Sequence, residues 1–265
     1  MISGVTGICN IFFSHCNLQC IYCQNHQISQ NDTGETLISL EEVTRKVTSI
    51  LDMGISSVGF VSPSHMVDQV KNIIQSINST RRRPVYVWNT NGYDGVKTLR
   101  TLEGLIDVYL PDYKYADAEL GMLLSGVEDY PQIAINAIKE MVRQRGTSIS
   151  LNDKGVIESG VIIRHLILPG HVENSKQCLQ MIADELSTSV HISLMSQYHP
   201  VPGILNHPEL NRSISVDEYK EVIEEFEQLG FYRGWTQELE SESNYNPDFG
   251  RDHPFETEID FKQKS

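Results

Sequence analysis

The sequence predicts a parallel α/β fold, a partial (β/α)6 TIM-like barrel that stops short of closure. Three observations predict it. Short apolar runs rich in β-branched and aromatic residues recur six times in the 265-residue chain. Helical patterns fill the gaps, an alternation that implies parallel strands joined by right-handed crossovers. Eight such units close a barrel and six leave it open, with chemistry expected at the carboxyl ends of the strands in either form.

The runs begin near Ile8 (ICNIFF), Ser57 (SVGFV), Pro84 (PVYVW), Ile106 (IDVYL), Val161 (VIIRHLIL) and Val190 (VHISLM). Between them, Ser39 and Glu42 read as a capping box ahead of Val43, Val47, Ile50 and Leu51 at helical spacing. Met66 to Ile77 and Pro131 to Val142 repeat the pattern, Pro131 fitting a first turn. Ser175 to Leu186 and Ser215 to Leu229 complete it, the last stopped by Gly230. The barrel is thus expected over residues 1–231. Residues 232–265 are acidic, lack a clear period, and hold Trp235, Tyr245, Phe249 and Phe255. They are expected to pack on the barrel as a tail, near its mouth.

Composition narrows the function. The chain is 40% hydrophobic and 21% charged, an ordinary globular balance, with no run near the length that spans a bilayer. A cytosolic protein is expected. The formal net charge of -14 disfavours a nucleic-acid partner, which needs clustered Lys and Arg. Arg81, Arg82 and Arg83 form the one basic run, which reads as a solvated loop.

There are five cysteines, and three fall in SHCNLQCIYCQNH, as Cys16-x3-Cys20-x2-Cys23 directly after the first strand. Clustering of this kind points to metal rather than to disulfides. Three thiolates hold three irons of a cubane and leave the fourth iron open. The competing reading is structural zinc, which wants four ligands and would have to borrow His15 or His26. Cys9, inside the first strand, and Cys178, in a helix, read as buried unligated thiols.

The cysteine spacing, with Tyr22 before the third cysteine, resembles the signature of the radical S-adenosylmethionine (SAM) superfamily. Within it the chain resembles the pyruvate formate-lyase activating enzymes and their activase-like iron–sulfur relatives. The matching pieces, FFSHCNLQCIYCQN, NTNGY, LPDYK, IRHLILPG and QYHPVPG, run from residue 12 to residue 203. The resemblance implies a [4Fe–4S] cluster on Cys16, Cys20 and Cys23 with SAM chelating the open iron. It places Tyr22 by the adenine and Asn25 among the SAM contacts.

Residues two apart in a strand share a face, so Asp112 and Lys114 point together into the mouth. The matching Asp-x-Lys pair of the activases lies by the methionine part of SAM; the bland reading is a structural ion pair. Arg164 alternates with Leu166 and Leu168 and needs an anion, SAM's carboxylate by resemblance or a core acid otherwise. His199 shares parity with Ser193, Met195 and Gln197; its activase match sits by the ribose, and Gln197 is a weaker substrate-pocket candidate. Asn89 and Asn91 share a face in a segment that helps hold a monovalent cation in the activases. Those enzymes have Asp at the position of Asn89. The second strand departs from the superfamily's Gly-Gly-Glu-Pro and reads Ser62-Pro63-Ser64-His65. Backbone carbonyls at Ser62 and Ser64 are expected to take SAM's ammonium instead, and His65 to begin the next helix. The activase-like relatives often carry cysteines upstream of the barrel, a segment this sequence is expected to lack.

The implied chemistry is reductive cleavage of SAM to a 5′-deoxyadenosyl radical that abstracts hydrogen. It calls for a one-electron donor such as flavodoxin or ferredoxin. A glycyl residue of a glycyl radical enzyme is the substrate the resemblance implies. Radical modification of a small molecule or another peptide stands beside it, and a non-catalytic metal-bearing scaffold stands further off.

Overall fold

A computed structural model describes residues 2, 4, 6–30, 37–237 and 249. The element order is β1 (Cys9–Phe12), α1 (His26–Ser29), α2 (Leu40–Asp52), β2 (Ser57–Val61), α3 (Val67–Ser79), β3 (Val85–Thr90), α4 (Val96–Arg100) and β4 (Val108–Pro111). The chain continues through α5 (Ala118–Ser125), α6 (Tyr130–Arg145), β5 (Ser150–Leu151), β6 (Ile157–Leu166), α7 (Val172–Glu185), β7 (His191–Met195), α8 (Val216–Gln228) and β8 (Gly234–Thr236). The sheet order is β1-β2-β3-β4-β6-β7-β8, parallel along this path, with β5 antiparallel on β6. All six expected runs are strands, and the open parallel barrel is the observed fold.

Local signals explain most boundaries. Ser39 caps α2 by accepting the Glu42 N–H at 3.2 Å, but the Glu42 carboxylate turns to Arg45 instead of closing the box. The complete capping box lies at Ser215 and Glu218, at the start of α8. Gly230 follows α8 in the left-handed region, φ 80°. His65 does not begin a helix: α3 starts at Val67, and the His65 ring bonds the Ser14 carbonyl at 2.8 Å, clasping the chain just before Cys16.

The expected boundary at residue 231 moves outward, because β8 adds a strand inside the presumed tail. Gly234 makes this pairing possible, since a Cβ there would stand 1.9 Å from the Ile192 carbonyl oxygen. Trp235 stacks on His191, ring centroids 6.0 Å apart. Three residues carry too little periodicity to announce a strand. Tyr245 and Phe255 lie outside the described residues.

Two apolar layers hold the sheet. The larger lies between strands and helices and includes Phe60, Tyr86, Trp88, Tyr109 and Ile163. A second, formed by Val87, Val108, Leu110, Ile157 and Ile162, packs with Ile2, Ile8 and Ile149 as the barrel's floor. No helix among the described residues is long and apolar enough to cross a membrane.

Candidate active site

Above that floor the strands open into a cavity of about 310 Å³. Its wall carries Cys16, Cys20, Cys23, Tyr22 and Asn25 from the loop after β1. It carries Ser62 and Asn89 from the ends of β2 and β3, Asp112, Lys114 and Arg164 from β4 and β6, and Gln197 beyond β7. The sequence-predicted residues thus converge, with two exceptions. Ser64 turns its hydroxyl to Thr90, 3.1 Å away, and does not line the cavity. His199 also stands outside the lining: Gln24 holds its Nδ1 at 3.2 Å, and its buried Nε2 has no hydrogen-bond partner. Strand β7 ends at Met195, so alternation no longer governs where residue 199 points.

Register dictates the charged group. Asp112 bridges Arg164 on the adjacent parallel strand, and the two side chains meet at 2.5 Å. Lys114 reaches the other carboxylate oxygen at 2.6 Å. Burial alone would raise the Asp112 pKa, but Arg164 and then Lys114 outweigh it and hold the carboxyl below its ordinary value. Burial likewise opposes the Lys114 charge, and Asp112 and Cys20 overcome it to raise the pKa. Two cations share one carboxylate, which leaves one positive charge for an anion in the cavity. Arg164 Nε is buried without a hydrogen-bond partner, the kind of orphaned donor that a ligand carboxylate satisfies.

Each clustered cysteine meets a donor. Asn91 Nδ2 lies 3.3 Å from Cys16 Sγ, Ser125 Oγ 3.0 Å from Cys20 Sγ, and Ser29 Oγ 3.1 Å from Cys23 Sγ. Burial pushes the Cys16 and Cys20 thiols up, Cys20 to about 11, while Lys114 pulls both down. Iron binding would therefore release protons. Among the described residues, no three His, Cys, Asp or Glu side chains gather as ligands of a single metal ion. Sulfurs that each bind a different iron of a cubane stand farther apart than ligands of one ion, so three separated thiols fit a cluster. Cys9, pushed by burial to about 11, and Cys178, pushed well above the usual thiol range by burial, lie in the core away from the cavity.

Several supporting residues escape motif reading. Asn91, not Asn89, reaches the cysteine loop, donating also to Asn17 Oδ1 at 2.7 Å. Tyr130 is fully buried at the start of α6; its hydroxyl accepts the Lys114 N–H at 3.0 Å and shares its one hydrogen between the Asn91 and Asp112 carbonyls, 2.8 and 2.9 Å away. Gly92, at φ 83°, permits this junction, because a Cβ would stand 2.1 Å from the Asp112 carbonyl oxygen. The end of α5 anchors the cysteine loop, the Leu124 carbonyl accepting the Ile21 N–H at 2.9 Å. From the far C-terminal side, Phe249 packs edge-on against Phe12 on the cavity wall, centroids 5.1 Å apart.

Comparison with known proteins agrees with this geometry. Residues 2–120, which include all three clustered cysteines, match the family model described as a 4Fe–4S single cluster domain. An uncharacterized protein of Methanocaldococcus jannaschii is 28% identical over 223 residues, covering 81% of this chain and 60% of its own length. The [FeFe]-hydrogenase maturase HydG from Carboxydothermus hydrogenoformans superposes with a TM-score of 0.59 at 15% identity, covering 89% of this chain and 55% of that one. The structure of native anSMEcpe with bound AdoMet gives 0.59 at 12% identity, over 87% and 64%. Streptococcus suis SuiB, bound to precursor peptide SuiA, gives 0.57 at 15%, over 96% and 53%. The chain therefore spans little more than half the length of these proteins, and its fold is the open parallel barrel they share.

Proposed function

We propose that this chain is a radical SAM enzyme whose cofactors are a [4Fe–4S] cluster and S-adenosylmethionine. The observation that carries the reading is one cavity bounded both by three donor-supported thiols and by an Asp112–Lys114–Arg164 group with a positive charge to spare. Cys16, Cys20 and Cys23 would hold the cluster, and Lys114 and Arg164 would receive SAM's carboxylate. Bound together, these groups supply one-electron cleavage of a sulfonium and a carbon radical that abstracts hydrogen. The protein's part is to orient that radical's precursor on the Tyr22 side of the cavity, and to keep water out with the apolar floor. An external one-electron donor of flavodoxin or ferredoxin type completes the cycle.

The finer reading, a glycyl residue of a partner enzyme as hydrogen donor, rests on the motifs between residues 12 and 203. A second reading, a small molecule or another peptide, draws support from Phe249, whose ring meets Phe12 on the cavity wall. Anaerobic reconstitution followed by dithionite and SAM tests the chemistry, with 5′-deoxyadenosine as the expected product. A glycyl-radical spin resonance signal after mixing with a glycyl radical enzyme would select the first substrate. Acceleration of deoxyadenosine formation by a metabolite, without that signal, would select the second.

A further inference from the structure

A buried file of hydroxyl groups ends on one cysteine. Tyr22 Oη lies 2.6 Å from Tyr115 Oη, Tyr115 Oη 2.6 Å from Ser125 Oγ, and Ser125 Oγ 3.0 Å from Cys20 Sγ. Tyr115 is fully buried, and Ser125 and Tyr22 nearly so. Ser125 is the last residue of α5, whose terminal carbonyls also bind the cysteine loop, so its hydroxyl is fixed relative to Cys20. The other two clustered cysteines meet Asn91 and Ser29 in less buried surroundings, and no hydroxyl file extends behind either among the described residues.

We propose that Ser125 and Tyr115 are positioning residues that set the reduction potential of the cluster through Cys20, an inference that rests on the cluster reading above. Hydrogen count fixes the direction of the file. A ligating thiolate carries no proton and only accepts, whereas a hydroxyl has one hydrogen to give. Ser125 must therefore donate to Cys20, which leaves its oxygen to accept from Tyr115, and Tyr115 in turn accepts from Tyr22. The sulfur thus polarises the whole file in one direction, and each bond strengthens the next in a buried setting. Reduction adds negative charge to the cluster, so a donor aimed at its sulfur favours the reduced state and raises the potential. Burial leaves no water to replace a deleted hydroxyl.

The test is a spin-resonance-monitored redox titration of the anaerobically reconstituted full chain. Ser125→Ala, at full iron content, is expected to lower the ratio of reduced to oxidised cluster about tenfold at a fixed ambient potential. That is about 59 mV for one electron. Tyr115→Phe, which keeps the ring and removes only the hydroxyl, should move the ratio the same way by about threefold. It decides the question if Ser125→Ala loses iron. Ser125→Thr, which restores a hydroxyl, should return the ratio towards wild type. Tyr113→Phe is the control, because it deletes a buried hydroxyl with no hydrogen-bond partner. A ratio unchanged in an iron-replete Ser125→Ala or Tyr115→Phe protein, or shifted equally in Tyr113→Phe, overturns the proposal. Wild-type protein that takes up no cubane, read from its visible absorption before any titration, overturns the cluster reading and this inference with it.

Discussion

Asn89, Asp112 and Arg164 at the mouth of the barrel stand on the same inward rows as Val87, Leu110 and Ile162, two residues earlier on each strand. One step along three strands changes a dry apolar floor into a polar site. The floor contributes by burial alone, roughly 25 cal/mol per Å² of apolar surface, and tolerates no charge. The mouth admits charge only where a neighbour supplies compensation, as Asp112 does for Arg164 on the adjacent strand and for Lys114 two residues on. Placing the site on rigid strand ends gives it precision, and placing the floor beneath it gives it stability. The two ends should therefore fail differently when altered.

The largest effect is expected from the mouth. Cys16→Ala, Cys20→Ala or Cys23→Ala should abolish cubane formation, whereas Cys9→Ala and Cys178→Ala, in the core, should leave it intact. Anaerobic reconstitution of the wild type is expected to give about four irons per chain. Tight zinc binding without iron–sulfur absorption would break the comparison at its first term. Next, Lys114→Ala should weaken SAM binding at least tenfold by deleting a charged donor to the carboxylate, a bond worth about 1.5–3 kcal/mol. Asp112→Ala should weaken it by releasing Lys114 and Arg164 from the geometry that presents them, and both variants should spare the cluster spectrum. Calorimetry at wild-type affinity for both variants would reduce the pair to a structural ion pair. At the floor, Leu110→Ala should cost about 2–5 kcal/mol of unfolding free energy while leaving cluster content unchanged. Loss of the cluster from an otherwise folded Leu110→Ala protein would show that the two ends are not separable.

How much of this was legible in the sequence follows from the same contrast. Floor and strands announce themselves because apolar runs are local, and all six appear where the runs lie. The cysteines, Asp112, Lys114 and Arg164 are legible because a motif or strand parity marks them. Ser125, Tyr115 and Tyr130 are not, because their roles depend on α5 and α6 folding back over the strand ends, and nothing local encodes that approach. Strand β8 is hidden because it is three residues long and owes its place to the close approach that Gly234 allows. His199 lies beyond the end of β7, where parity stops applying.

The neighbours Arg164 and His165 extend the comparison across the sheet. Arg164 faces the cavity and pairs with Asp112. His165 faces the helices, fully buried, with its ring nitrogens 2.7 Å from the Tyr113 carbonyl and 2.9 Å from the Ser175 hydroxyl. Burial drops its pKa from 6.5 to about 4. A depressed pKa means that the folded state resists protonation that the unfolded chain accepts. The stability this contributes is complete above pH 6.5 and is lost as pH falls towards 4, on the order of 3 kcal/mol in all. Denaturant melts of wild type and His165→Asn across that window should differ in slope, the variant being the flatter. Equal slopes would mean that His165 accepts its proton without unfolding.

The smallest expected effect concerns Ser62, where mouth and floor meet at the end of β2. Its backbone adopts φ 53°, in the left-handed region that favours glycine, immediately before Pro63. A side chain there costs about 1–2 kcal/mol through its Cβ. Glycine would relieve that strain but add about 0.5–1 kcal/mol of chain entropy to the unfolded state. The two terms nearly cancel, so Ser62→Gly should raise stability by less than about 1 kcal/mol, a shift of no more than about 2–4 °C for a chain of this size. Ser62→Val, whose β-branched side chain fits the left-handed region worst, should move the melting temperature down instead. A lower melting temperature for Ser62→Gly would mean that the side chain of Ser62, a residue of the cavity lining, makes a contact worth more than the strain. The serine would then belong with Asp112 among the groups the mouth keeps for binding, rather than being a substitution the backbone merely tolerates.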